Sequence, residues 1–80
     1  MTKRERSIPM VFRYREFGSM IAAMRVEYGF STAEVASMVK VHQTTINKYE
    51  RGIEPNMHIQ NFIDLCNLYD IDPRDYFELE

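Results

Sequence analysis

Between Thr32 and Arg51 the sequence encodes two short helices with almost nothing between them, and this spacing restricts the fold more than any other feature. Ser31-Thr32-Ala33-Glu34 is a capping box: the Ser31 oxygen takes the N–H of residue 34, and Glu34 reaches back to the helix start. The helix opened there turns Val35, Ala36 and Val39 inward and stops near Lys40. A second helix runs from about Gln43 to Arg51 and is closed by Gly52. Only Lys40-Val41-His42 joins the two, which is too tight for an antiparallel hairpin and suits a steep crossing. Backbones come close at such a crossing, so the contact residue must be small, and Ala36 meets that need. Val41 plugs the turn, and Ile46 anchors the second helix from within.

The flanking segments read as further helices. Phe17, Met20, Ile21, Met24 and Tyr28 form one apolar stripe at helical spacing, ended by Gly29 as a C′ glycine. Its start has two readings. Ser7-Ile8-Pro9 has the form of a helix start, whereas Met10, Phe12 and Tyr14 alternate with Arg13 and Arg15 in the manner of a short strand. We expect a helix from about Arg13, preceded by a basic arm over residues 1–12. Pro55-Asn56 marks a loop, after which a helix over about Ile59–Tyr69 is expected to bury Phe62, Ile63, Cys66 and Tyr69. Asp72-Pro73 pairs an N-cap with proline at the first helical position and opens a last short helix through Tyr76 and Phe77. The expected fold class is all-α, with five short helices in one domain over residues 13–80.

Charge and composition narrow the function classes. The formal net charge is -2, which argues against nucleic acid until it is resolved along the chain. Residues 1–51 hold nine bases against five acids, for +4; residues 52–80 hold one base against seven acids, for -6. A basic piece is joined to an acidic one. Cys66 is the sole cysteine, so neither an internal disulfide nor a paired-cysteine zinc site can form. His42 and His58 lack a ligand-type partner at i+3 or i+4, and no metal or other cofactor is expected. No apolar run approaches the roughly 18–20 residues of a membrane span, and the N-terminus has no signal-peptide apolar region, so a cytoplasmic domain is expected. Phosphate-loop, zinc-protease and serine-hydrolase motifs do not occur, so an enzyme is not expected.

The second helix of the pair carries the chemistry. At roughly 100° per residue, Gln43, Thr44, Asn47, Lys48 and Arg51 share an arc of about 140°, with Ile46 and Tyr49 on the other side. That arc holds no acid. Amide side chains pair bidentately with adenine, Lys and Arg suit guanine, and Thr offers a hydroxyl or a methyl, so this face has the chemistry that reads base edges.

From Phe17 to Phe77 the chain resembles the Cro-like, XRE-type helix-turn-helix regulators. Ala36, Val41 and Ile46 stand at the motif's spacing, counted from Thr32, and Tyr49-Glu50-Arg51-Gly52 is similar to the family's ending of the recognition helix. Val41 to Lys48 is similar to the recognition helix of phage Cro repressors. The resemblance implies a compact lambda-repressor-like domain that binds double-stranded DNA as a homodimer, more as a repressor than an activator. Gln43, Thr44, Asn47 and Lys48 would then read bases, with Thr32, Lys40, His42 and Arg51 at the backbone. Arg25 and Glu50 would form a structural pair between the first and third helices. Lys40 replaces the usual glycine of the turn, where a left-handed residue costs about 1 kcal/mol. Lys3, Arg4 and Arg6 would track phosphates or enter a minor groove, or else serve as a solubilising tail. A dimer contact is expected at Ile71, Tyr76, Phe77 and Leu79, which are more apolar residues than a short terminal helix needs. The competing reading is a protein-binding adaptor or antitoxin-like module on the same fold.

Overall fold

The computed structural model describes residues 10–79. Among these residues the order is a strand β1 (Met10–Phe12), four α-helices, namely α1 (Tyr14–Tyr28), α2 (Thr32–Val39), α3 (Gln43–Glu50) and α4 (Ile59–Tyr69), a 3-10 turn (Pro73–Tyr76) and a strand β2 (Phe77–Leu79). The all-α expectation therefore holds for the body of the domain, and four α-helices stand where five helices were expected.

The end of α1, both ends of α2 and the start of the 3-10 turn follow from local chemistry. Gly29 takes a left-handed conformation at φ 78°, and the N–H groups of Gly29 and Phe30 bond back to the carbonyls of Val26 and Arg25, closing α1 in a Schellman pattern. Both halves of the capping box are made at α2: Glu34 N–H donates to Ser31 Oγ at 3.0 Å, and Ser31 N–H donates to Glu34 Oε1 at 2.7 Å. Lys40 adopts φ 62° and ψ 49°, so the turn keeps a left-handed residue at the position where the resemblance puts glycine. Asp72 accepts from the Arg74 N–H at 3.0 Å and, with Pro73, starts the 3-10 turn.

Two expectations are corrected at the ends of the domain. Met10, Val11 and Phe12 are not part of a free arm; they pair antiparallel with Leu79, Glu78 and Phe77. The last helix stops at Tyr76, and Phe77 becomes extended strand. The cause is aromatic packing. Phe12 stacks on Phe77 with ring centroids 5.0 Å apart and meets Phe62 edge-on at 5.3 Å, so extending both segments seals one end of the core. Arg13 N–H then donates to the Tyr76 carbonyl at 2.7 Å and ties the ribbon to α1.

The core is built from Phe17 and Ile21 of α1, Val35, Ala36 and Val39 of α2, Ile46 and Tyr49 of α3, and the inner face of α4. On α4 the inner face is Phe62, Leu65, Cys66 and Tyr69, whereas Ile63 is 40% exposed, contrary to expectation. Relative to Phe62, the other three lie within about 60° around the helix, and Ile63 lies roughly 100° away. Met20, at the margin of the α1 stripe, and Tyr28, in its last turn, also keep substantial exposure.

Candidate nucleic-acid interface

α2 and α3 cross over the three-residue turn, with Ala36 buried at the contact and Val41 N–H donating to the Ala36 carbonyl at 3.0 Å. Ile46 and Tyr49 lock the inner side of α3 into the core. Asn61 of α4 adds a bond from its amide to the Tyr49 hydroxyl at 2.9 Å. Rotation of α3 about its axis is therefore set by buried contacts, and its outer side is left to solvent. Gln43, Thr44, Asn47 and Lys48 are all exposed there, with Arg51 just beyond the last turn. Lys40 and His42 are exposed at the turn, and Thr32 is half-buried at the start of α2. His42 makes no side-chain cap to α3.

Two of these residues are held together. The Gln43 amide donates to the Thr32 hydroxyl at 2.7 Å, which fixes the first side chain of α3 against the first residue of α2. The Thr32 oxygen accepts, so its own proton remains to be donated outward. This bond joins a residue expected at bases to one expected at the backbone.

Behind α3, Arg25 Nε donates to Glu50 Oε2 at 2.8 Å, and its Nη1 donates to the Phe30 carbonyl at 2.9 Å. The pair is mostly shielded, with 20% and 10% of the two side chains exposed. The bond to Glu50 raises the Arg25 pKa above its ordinary value, so the guanidinium keeps its charge. With Glu50 drawn inward, the outer side of α3 carries cations and neutral polar groups only.

Sequence reasoning missed Gly18, and it read Gly52 as a helix end without its approach to α1. Gly18 lies mid-helix in α1, where a Cβ would run into the backbone carbonyl of Tyr49 and press on the Glu50 carbonyl at 3.3 Å. Its absence lets α1 lie directly on the end of α3. Gly52, at φ 69°, would place a Cβ 3.1 Å from the Arg15 Cα, so Arg15 sits against the turn that leaves α3. The available signal was a lone glycine inside a helical pattern, which often marks a close backbone approach.

The remaining expected residues fall elsewhere. Lys3, Arg4 and Arg6 lie outside the described residues, as does the side chain of Leu79. Tyr76 is buried against Phe17, with ring centroids 5.2 Å apart, and Phe77 packs on Phe12 and Phe62, so these two rings serve the core of their own chain. Ile71 is half-buried. Among the described residues, no group of His, Cys, Asp and Glu has the arrangement of a metal site, and no helix is long and apolar enough to cross a membrane. Burial pushes the Cys66 thiol up to about 11, and burial together with the nearby Glu50 pushes the Tyr69 phenol up to about 12. Neither is an activated group.

Four α-helices, with a tight α2–turn–α3 pair presenting the outer face of α3, define a helix-turn-helix domain. A family described as "Helix-turn-helix domain" matches residues 18–80, and the chain belongs to that family, in its XRE type. Its structure is similar to that of the restriction-modification controller protein C.AhdI from Aeromonas hydrophila, at TM-score 0.66 and 26% identity over 78% of this chain and 92% of that one. It is likewise similar to the N-terminal DNA-binding domain of SinR from Bacillus subtilis, at TM-score 0.66 and 25% identity, covering 75% and 87% of the two chains. SinR in complex with DNA, where it is described as the master regulator for biofilm formation, aligns at TM-score 0.63 and 26% identity over 72% of this chain and 92% of that one. A comparison with curated protein sequences finds no match. These neighbours are regulators, in keeping with a sequence that carries no enzyme motif.

Proposed function

We propose that the protein is a sequence-specific, double-stranded DNA-binding transcriptional regulator of the cytoplasm. In this reading it is a homodimeric repressor that lays α3 in the major groove of each half of a palindromic operator. The observation that carries this reading is the outer face of α3: Gln43, Thr44, Asn47 and Lys48 are exposed together, and Glu50 is turned away into its pair with Arg25. The likeness to SinR, which is known in complex with DNA, supports it. Gln43, Thr44, Asn47 and Lys48 read base edges, while Thr32, Lys40, His42 and Arg51 meet the sugar-phosphate backbone. Lys3, Arg4 and Arg6 add contacts from the arm. One helix of this length reads few base pairs, so two half-sites about one helical turn apart supply the specificity. The contact between protomers draws on Ile71, Tyr76, Phe77 and Leu79 at the acidic end of the chain, with Tyr76 giving most of its surface to its own core.

Selection of genomic DNA fragments at two salt concentrations, followed by Asn47→Ala and Lys40→Ala variants on the enriched site, tests the reading. Salt-sensitive binding to a palindrome is expected. Asn47→Ala should cost about 1–3 kcal/mol at particular base pairs, and Lys40→Ala should weaken all sequences alike. Absence of binding at low salt would overturn this reading in favour of a protein-binding adaptor or antitoxin-like module. Equal, sequence-independent losses from both variants would remove the base-reading assignment.

A further inference from the structure

The end of α3 carries more positive charge than the motif itself supplies, and the extra cation comes from α1. Gly52 lets the stem of Arg15 lie across the turn that Arg51 opens: a Cβ on Gly52 would sit 3.1 Å from the Arg15 Cα and 3.4 Å from its Cγ. Arg15 and Arg51 are thus neighbours in space, 36 positions apart in sequence, and both are exposed. The carboxylates of this region are occupied. Glu16 is held by Arg13 at 3.2 Å, Glu50 by Arg25 at 2.8 Å, and Glu54 accepts the Asn56 N–H at 3.2 Å. The Arg15 guanidinium lies 5.0 Å from the Tyr14 ring, a contact an exposed arginine exchanges readily, and it makes no ion pair among the described residues. Lys48, Arg51 and Arg15 therefore form a basic strip that runs off α3 and onto α1, and none of the three makes an ion pair among the described residues.

We propose that Arg15 is a phosphate contact that acts with Arg51 as a two-pronged clamp on the DNA backbone where α3 leaves the groove. The proposal rests on the reading of α3 as a DNA-reading helix and extends the interface to an element outside the motif. Gly18 and Gly52 serve the clamp by setting the distance between α1 and the end of α3. A simpler role for the same cations would be to complement the negative end of the α3 dipole, which would affect folding rather than binding.

The experiment uses the full chain as wild type, Arg15→Gln, Arg15→Lys, Arg51→Gln and the double Gln variant. Affinity for a duplex carrying the enriched site, and for a scrambled duplex of equal length, is followed against salt concentration, with thermal melting of each protein alongside. One lost phosphate contact should lower the slope of log affinity against log salt by about 0.9, and two by about 1.8. We expect the first figure for Arg15→Gln and the second for the double variant, an unchanged preference for the site over the scrambled duplex, and a wild-type slope for Arg15→Lys. A wild-type slope in Arg15→Gln beside a reduced one in Arg51→Gln would overturn the clamp and leave the DNA reading standing. The same holds if Arg15→Gln lowers the melting temperature while the slope stays put. A wild type without salt-dependent binding would remove the DNA reading, and the clamp with it.

Discussion

Replacing Glu50 with alanine tests the packing that orients α3. Glu50 accepts from Arg25 Nε at 2.8 Å, and the two side chains keep 10% and 20% of their surface in water. Breaking a fully buried pair by removing one partner costs about 3–5 kcal/mol, because the remaining charge is left uncompensated. Here Arg25 retains its bond to the Phe30 carbonyl and some access to solvent, so the expected loss is smaller, about 2–3 kcal/mol. A chain of this size has a stability of about 4–12 kcal/mol, so the variant should still fold. Its melting temperature should fall by roughly 8–24 °C, at about 4–8 °C per kcal/mol. Urea denaturation of wild type, Glu50→Ala, Arg25→Ala and the double variant gives the coupling energy, expected at about 1.5–3 kcal/mol with an unchanged urea dependence. A loss under about 0.5 kcal/mol for Glu50→Ala, with no coupling, would show that α3 is held by Ile46 and Tyr49 alone.

Three further outcomes follow from the backbone and the buried titratable groups. Gly18→Ala should destabilise by about 1–3 kcal/mol although alanine is the better helix former, because its methyl group meets the Tyr49 carbonyl; an increase in melting temperature would contradict the close approach of α1 and α3. Lys40→Gly should stabilise by up to about 0.6 kcal/mol, the left-handed strain of about 1 kcal/mol relieved less about 0.4–1 kcal/mol for the added freedom of the unfolded chain, and a lower urea midpoint would count against that strain. Alkaline pH should weaken the fold: Cys66 and Tyr69 are held neutral, with values moved from 9.0 to about 11 and from 10.0 to about 12, so the folded state keeps protons that the unfolded chain releases. Stability from these groups is full below about pH 9 and declines as the pH rises through 11 to 12, and a flat urea midpoint between about pH 8 and pH 11 would refute it.

The candidate site is largely legible in the sequence, because its parts are local. Gly29 and the Ser31–Glu34 box act on backbone groups within a turn of themselves, and the three-residue Lys40–His42 connection separates the two apolar patterns, so local spacing locates α2 and α3. The outer face of α3 follows from helical geometry once Ile46 and Tyr49 are assigned inward. On α4 the expected inner face included Ile63 and omitted Leu65, whereas helical geometry around Phe62 already sets Leu65 with Cys66 and Tyr69 and puts Ile63 about 100° away, where no element covers it.

Local sequence sets where the helices of the motif start and stop, which side of α3 meets the core, and the gathering of positive charge in the first 51 residues. Tertiary packing settles which distant segments touch. It turned Met10–Phe12 and Phe77–Leu79 into a ribbon, drew Tyr76 and Phe77 into the core of their own chain, and carried Arg15 to the end of α3 across two glycines. Helix ends are set by bonds among near neighbours. Strand pairing and backbone approach depend on faces that meet only after the chain has folded, and no periodicity within one segment records its partner.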